Sequence, residues 1–301
     1  MPTRILALAL VPLAALTLVA CGDDDDGGEA ADEGTTTTAA AEDAPERIVS
    51  LAPTTTEMLF AIGAGDQVVA VDDQSNYPED VPKTDLSGFE PNVEAIVGYE
   101  PDLVVLTDDN GDVVAGLEAA DVETLLLPAA TTLDDSYDQL SQLGDVTGHE
   151  DEAADVVQGM KDDIEEITQS VPVPDGPPPT YYHELDQTLF TATSSTFIGQ
   201  VYEMVGLENI ADAADADGSG YPQLSAEYIL EQNPDIIFLA DTKCCGQSAE
   251  TVAARPGWAE LDAVTSDHVV ELDDDIASRW GPRVVDLLRT VADEVARVPA
   301  G

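Results

Sequence analysis

An unbroken helical pattern in the middle of the chain constrains the fold most. From His149 to about Val171 there is no proline and a single glycine. Val156, Val157, Met160, Ile164, Ile167 and Val171 recur there at spacings of three and four, which places them on one face of a helix. Some 22 residues at about 1.5 Å each make a rod of roughly 33 Å. Pro172-Val173-Pro174 and Pro177-Pro178-Pro179 then stop it. A rod of this length, with strand-rich sequence on both sides, reads as a rigid connector between two halves. A helix packed within one domain is the alternative.

The halves have the same grammar. Strand-like runs fall at 47–52, 68–72, 103–107 and 122–128, and again at 180–185, 189–192, 235–240 and 268–272, with helical stretches at 57–62, 93–98, 227–232 and 282–297. Several runs are continuously apolar, as strands buried on both faces of a parallel sheet require, so each half is predicted to be an α/β lobe. One unit occurs twice. Asn92-Val93-Glu94-Ala95-Ile96-Val97 leads to Pro101-Asp102-Leu103-Val104-Val105-Leu106. Leu224-Ser225-Ala226-Glu227-Tyr228-Ile229-Leu230 leads to Pro234-Asp235-Ile236-Ile237-Phe238-Leu239. Each reads as a short helix, a Pro-Asp turn and a buried strand.

Ahead of the lobes lies Arg4, then an apolar run from Ile5 to Ala20, a signal-peptide pattern too short for a comfortable membrane span. It ends Leu18-Val19-Ala20-Cys21-Gly22, which resembles a bacterial lipobox and implies cleavage before Cys21 and lipidation of that residue. Gly22 to Glu46 holds the run Asp23 to Asp26, further acids and no Lys, Arg or aromatic residue. Such a segment cannot bury enough apolar surface to fold and is expected to be a tether. The expected divisions are therefore a leader at 1–20, an anchor and tether at 21–46, a lobe at 47–148, a connecting helix at 149–171 and a second lobe at 172–301.

The 62 acids against 10 bases argue against nucleic-acid binding and against docking to a membrane by basic residues. Contact with a membrane is expected only through the lipid. Cys244 and Cys245 are neighbours, and in an oxidising exterior they are expected to form a local disulfide, free thiols being the alternative. His149, His183 and His268 have no paired metal-ligand spacing, so no metal site and no resident cofactor are expected. No phosphate-binding glycine loop or G-x-S-x-G nucleophile motif appears, and no enzymatic activity is expected.

The chain resembles the cobalamin and iron–siderophore solute-binding proteins of ABC importers. The resemblance rests on Arg47-Ile48-Val49-Ser50-Leu51-Ala52-Pro53-Thr54-Thr55-Thr56-Glu57, Asn76-Tyr77-Pro78, both Glu-to-Pro-Asp units, Tyr221-Pro222-Gln223-Leu224-Ser225, Arg255-Pro256-Gly257-Trp258 and Ala277-Ser278-Arg279-Trp280-Gly281-Pro282-Arg283. It implies the class III periplasmic-binding fold: two Rossmann-like α/β lobes bridged by one long helix, with a ligand in the cleft between them. It also implies an extracytoplasmic, lipid-anchored protein that carries a small metal chelate, cobalamin or a ferric siderophore, to the transmembrane subunits of a permease. Glu94 and Glu227 would dock one on each permease subunit, although each also sits where a helix N-terminus favours a carboxylate.

Candidate ligand residues are the loop aromatics Tyr77, Phe89, Tyr221 and Trp280, whose flat faces suit a large planar ligand. Arg279 would pair with a carboxylate or phosphate of the ligand, or else with a neighbouring aspartate. Asp275 would orient Arg279 or accept from a ligand amide. Thr54-x-x-Glu57 also reads as a helix capping box. Tyr221 stands where the cobalamin members carry Trp, Phe89 is offset by about one residue, and Cys244-Cys245 lies outside the family pattern. A haem carrier of the same fold, or an exported thiol–disulfide protein using Cys244 and Cys245, is the alternative reading.

Overall fold

The computed structural model describes residues 44–172 and 176–298. The leader, Cys21 and nearly all of the acidic tether lie outside the described residues. In the first lobe the chain runs β1 (Ile48–Ser50), α1 (Pro53–Ala61), β2 (Val68–Asp72), β3 (Lys83–Leu86), α2 (Val93–Val97), β4 (Leu103–Leu106), α3 (Val113–Glu118), β5 (Glu123–Leu126) and α4 (Leu133–Thr147). All strands pair in parallel in the order β3-β2-β1-β4-β5. Ile48, Val49, Val104 and Val105 are fully buried, as the apolar runs predict for strands covered on both faces.

The connector is α5 (Glu150–Ser170), 21 residues. Ala153, Met160 and Ile167 are its buried positions, and Val156, Val157, Ile164 and Val171 pack partly buried on the same side. It meets α4 at a close crossing: a Cβ on Gly144 would lie 2.6 Å from the Cβ of Ala153. Thr132 and Asp135 form a capping box that starts α4.

The second lobe holds β6 (Thr180–Glu184), α6 (Phe197–Glu203), β7 (Glu208–Asn209), α7 (Ala226–Gln232), β8 (Ile236–Leu239), α8 (Thr242–Cys245), α9 (Ala249–Ala253), α10 (Asp262–Thr265), β9 (Val269–Glu271), α11 (Asp274–Ala277) and α12 (Val284–Val295). Its parallel sheet has the order β7-β6-β8-β9. The run at 189–192 is not a strand. Phe190 makes only an isolated antiparallel bridge to Gln223, which leaves its ring on a loop. The sequence reading also missed β3 and the two-residue β7, both too short and polar to give a periodic signal.

One apolar core runs through both lobes. Ile48, Leu59 and Val71 of the first, Met160 of α5, and Tyr181, Phe238 and Leu288 of the second belong to a single cluster, while each outer sheet face has its own. The halves thus share a core as well as a helix. Among the described residues, no helix is long and apolar enough to cross a membrane.

Candidate ligand cleft between the lobes

Ligands of open parallel sheets bind beyond the carboxyl ends of the strands. Here those ends carry the exposed aromatics. Tyr77 lies in the loop after β2, Phe89 after β3, Phe190 after β6 and Tyr221 after β7, with exposures of 46%, 78%, 38% and 48%. The Phe89 loop lies directly on the end of β1: a Cβ on Gly88 would sit 2.2 Å from the Leu51 carbonyl oxygen, so only glycine fits and the next side chain turns outward. The Tyr221 loop is held by Thr193 N–H on the Gly220 carbonyl (2.8 Å), by Thr191 N–H on the Pro222 carbonyl (3.1 Å) and by Gly220 N–H on Asp215 (2.9 Å). Phe190 is the site candidate that sequence reasoning missed. Its signal, an aromatic in a Thr-rich run, was absorbed into a strand.

Trp280 is half-buried rather than exposed. Its indole N–H donates to Gln139 Oε1 (2.8 Å), and its carbonyl accepts from Ser136 Oγ (2.5 Å), so this second-lobe residue is tied to α4 of the first.

Arg279 makes the internal pair that was one of its two readings. Its guanidinium is buried and fully engaged, donating to Glu57 Oε1 (2.5 Å), Asn76 Oδ1 (2.9 Å) and Asp275 Oδ1 (2.8 Å). A guanidinium removed from water needs such partners. Arg279 therefore takes the intramolecular alternative. Asp275 does orient it, and also accepts from Asn76 Nδ2 (3.0 Å) and Lys243 Nζ (2.9 Å). Arg283 joins the same knot, donating Nε to Glu57 Oε2 (2.8 Å) and Nη2 to Glu57 Oε1 while its guanidinium stacks 4.2 Å from the Tyr77 ring centre. Glu57 is thus the buried hub of an ion network joining the lobes, not the end of a capping box. Helix α1 begins with Ala52 as its N-cap and no side-chain cap, which puts Thr54 inside the helix. The Thr55 hydroxyl is likewise used internally, on Ser50 and the Ala52 carbonyl.

Beside this knot is a cavity of about 250 Å³ lined from both lobes by Glu57, Phe60, Tyr77, Pro78, Pro282 and Arg283. It falls below the usual size of a drug-sized ligand's pocket, so it does not by itself hold a tetrapyrrole. A larger hollow of about 610 Å³ lies on the second lobe between Leu189, Leu230, Gln247, Arg255 and Trp258, with Glu227 on its rim.

Glu94 and Glu227 occupy equivalent places. Each is exposed at the second position of a short helix, and the N-cap two residues earlier, Asn92 or Ser225, accepts from the backbone N–H of Ala95 (2.9 Å) or Tyr228 (3.2 Å). Neither carboxylate has an ion-pair partner among the described residues.

Cys244 and Cys245 are joined in a disulfide on the exposed turn that follows β8. The backbone N–H groups of Thr242, Lys243 and Cys244 converge on Asp274. The histidines stay apart. His183 is buried against the Tyr202 hydroxyl (2.8 Å), where burial holds its pKa down to about 4, and His268 pairs with Glu294 (2.6 Å).

Comparison with known proteins gives a consistent picture. The profile of a family described as periplasmic binding protein matches residues 48–276. An uncharacterised ABC transporter substrate-binding lipoprotein of Bacillus subtilis is 30% identical over 83% of this chain and 80% of its own length. A cobalamin-binding protein of Halobacterium salinarum is 30% identical over 84% of this chain and 70% of its own. Among solved structures, the periplasmic vitamin B12 binding protein of Vibrio cholerae superposes with a TM-score of 0.67 at 26% identity, covering 83% of this chain and 96% of that one.

Proposed function

The chain belongs to the periplasmic binding protein family, and from that premise we propose that it is the substrate-binding lipoprotein of an ABC importer, capturing a metal chelate, cobalamin or a ferric siderophore, between its lobes. The observation that carries this reading is the placement of the aromatics. Among the described residues six large hydrophobic side chains are exposed, and four of them are the aromatics on loops at the carboxyl ends of the two sheets. A monomer gains nothing by exposing such rings in one region unless a flat apolar ligand covers them. Relatives named for cobalamin and vitamin B12 binding support the same class.

In this mechanism the protein does no covalent chemistry and needs no resident cofactor. Lipid on Cys21 keeps it at the outer face of the membrane, and the acidic tether lets it reach. Tyr77, Phe89, Phe190 and Tyr221 provide faces for the ligand. Trp280, held from α4, backs them. Arg279 and Asp275 act by fixing the lobes rather than by touching the ligand. Glu94 and Glu227, one unpaired carboxylate per lobe, orient the loaded protein on the permease. With a shared core, a helical bridge and a buried ion network, the lobes move little on binding.

Calorimetric titration of the chain lacking its leader, with cyanocobalamin and with ferric siderophores, tests the reading. One-to-one binding, weakened at least tenfold by Phe89→Ala or Tyr221→Ala, is expected. Glu94→Ala combined with Glu227→Ala should abolish uptake in cells and leave that affinity unchanged. Silence with every chelate would overturn the ligand class, and a fall in affinity of the double variant would overturn the docking role.

A further inference from the structure

The whole chain has 10 basic residues, and the structure accounts for nine of them. Arg47 precedes β1, at the edge of the sheet opposite the aromatic loops, whereas Lys83 opens β3 level with Val71, one residue from the carboxyl end of β2, and is exposed with no ion-pair partner among the described residues. Lys161 lies on α5 over the Tyr137 ring, 4.6 Å from its centre. Arg289 and Arg297 pair with Asp286 and Glu294 on α12. Lys83 aside, the described bases that stand toward the carboxyl ends of the strands are Lys243, Arg255, Arg279 and Arg283, and each of these four is already committed. Lys243 lies between Asp273 (2.6 Å) and Asp275 (2.9 Å). Arg255 forms a two-pronged pair with the fully buried Glu184 (2.6 and 2.5 Å). Arg279 and Arg283 share Glu57.

The loops around the aromatics add exposed acids with no ion-pair partner among the described residues: Asp73, Glu90, Asp108 and Asp109 on the first lobe, Asp212 and Asp217 on the second. Against these six acids an anionic ligand would meet one uncommitted cation among the described residues, Lys83 on the edge strand. To recruit Arg279 or Arg283 it would have to take a guanidinium from Glu57, whose carboxylate is buried, a strongly unfavourable exchange.

We propose that the cleft selects chelates by charge: it takes a neutral or cationic metal complex with a flat apolar face and rejects complexes bearing free carboxylates or a net negative charge, haem and ferric tricatecholates among them. The inference rests on the chelate-carrier reading above and narrows it.

The test uses ligands that differ in charge at nearly constant size. Cyanocobalamin would be titrated against its monocarboxylate, in which one side-chain amide is hydrolysed. Cationic ferrioxamine B would be titrated against its N-succinyl derivative, and haemin run beside them, in about 20 mM and about 500 mM salt, where the screening length shrinks several-fold. In whichever pair binds, the carboxylate member should bind at least tenfold more weakly at low salt, and the gap should narrow at high salt. Because a lost amide hydrogen bond would not recover with salt, the narrowing identifies charge as the cause. Equal affinities within a pair, a tighter carboxylate member, or haemin binding more tightly than either pair would overturn charge selection and leave the carrier reading standing. Failure of all five probes to bind would overturn the carrier reading itself.

Discussion

The two lobes close the same local seam in the same way and fill what surrounds it differently. In the first, Asp102 of the Pro-Asp turn accepts the backbone N–H groups of Glu46 and Arg47 (3.0 Å each) at the start of β1. In the second, Asp235 accepts Thr180 N–H (2.7 Å) and its hydroxyl (2.9 Å) at the start of β6. The repeated sequence is therefore a repeated clasp, fastening the middle of each lobe to the opening of its first strand. Beyond the clasp the lobes diverge. The first floors its strand ends with a buried hydroxyl network of Ser50, Thr55, Thr56 and Ser75. The second is built around buried aromatics, Tyr181, Tyr182, Tyr202, Phe238 and Trp258, and the Glu184–Arg255 pair. The lesson is that backbone grammar was kept in both lobes while most of the buried charged side chains lie in the second.

That asymmetry is strongest where the lobes meet. The first lobe contributes the carboxylate of Glu57, and the second contributes both guanidiniums. Glu57→Ala leaves two buried cations facing each other and should lose about 3–5 kcal/mol of stability, read from denaturant melts. Adding Arg283→Met should restore part of that loss, since a coupled pair does not add independently. A loss below about 1 kcal/mol would show that the network is solvated and that the shared core and α5 alone hold the lobes together.

The likeness is tested by removing each clasp. Asp102→Ala and Asp235→Ala should each cost about 1–3 kcal/mol, the usual range for hydrogen bonds to a charged acceptor. Asp235 should cost more because it is the less exposed of the two. The clasps share no partner, so the double variant should lose the sum. A cost for only one of them would break the equivalence of the two units.

Much of this was legible beforehand, and the limits are physical. The long helix was readable because a six-residue apolar stripe without proline marks one face of a helix, although its role as a bridge had an alternative. The repeated unit was readable because Pro-Asp marks a turn in both halves, but what Asp102 and Asp235 fasten was not. Phe89 and Tyr221 stood out because aromatics are scarce here and these sit beside glycine, and both are exposed on loops at the strand ends. Glu57, by contrast, lies 222 residues from Arg279. Three residues after a threonine, its spacing fits a capping box perfectly well, and nothing local says that two arginines from the far lobe will claim it. For Arg279 the same distance left two partners open, a ligand anion or a nearby aspartate, and the structure pairs it with Asp275 and with Glu57. Sequence shows that a cation is rare, not what will neutralise it.

The smallest predicted effect compares one position in two settings. Counting from the two Pro-Asp turns, Asp108 after β4 corresponds to Asp241 after β8. Asp108 is exposed and accepts from the Thr107 hydroxyl (3.0 Å). Asp241 is fully buried, and neither side-chain oxygen has a hydrogen-bond partner. Burial, with the nearby Glu184 carboxylate, pushes its pKa up from 3.8 to about 7. The folded protein thus holds this proton across a range where the unfolded chain has released it. Stability is then lost as pH rises from about 4 through about 7, the direction linkage requires for an acid whose folded pKa is raised. Asp241→Asn removes the titration and keeps the shape. It should be more stable than the parent at pH 8, by about 1–2 kcal/mol for a buried orphan carboxylate, and the gain should vanish by about pH 4. Asp108→Asn, exposed in the other lobe, should stay within about 0.5 kcal/mol at both values. Melting temperatures of the three proteins from pH 4 to pH 8 decide the matter. If the two variants behave alike, the buried charge of the second lobe is not what sets its pH response.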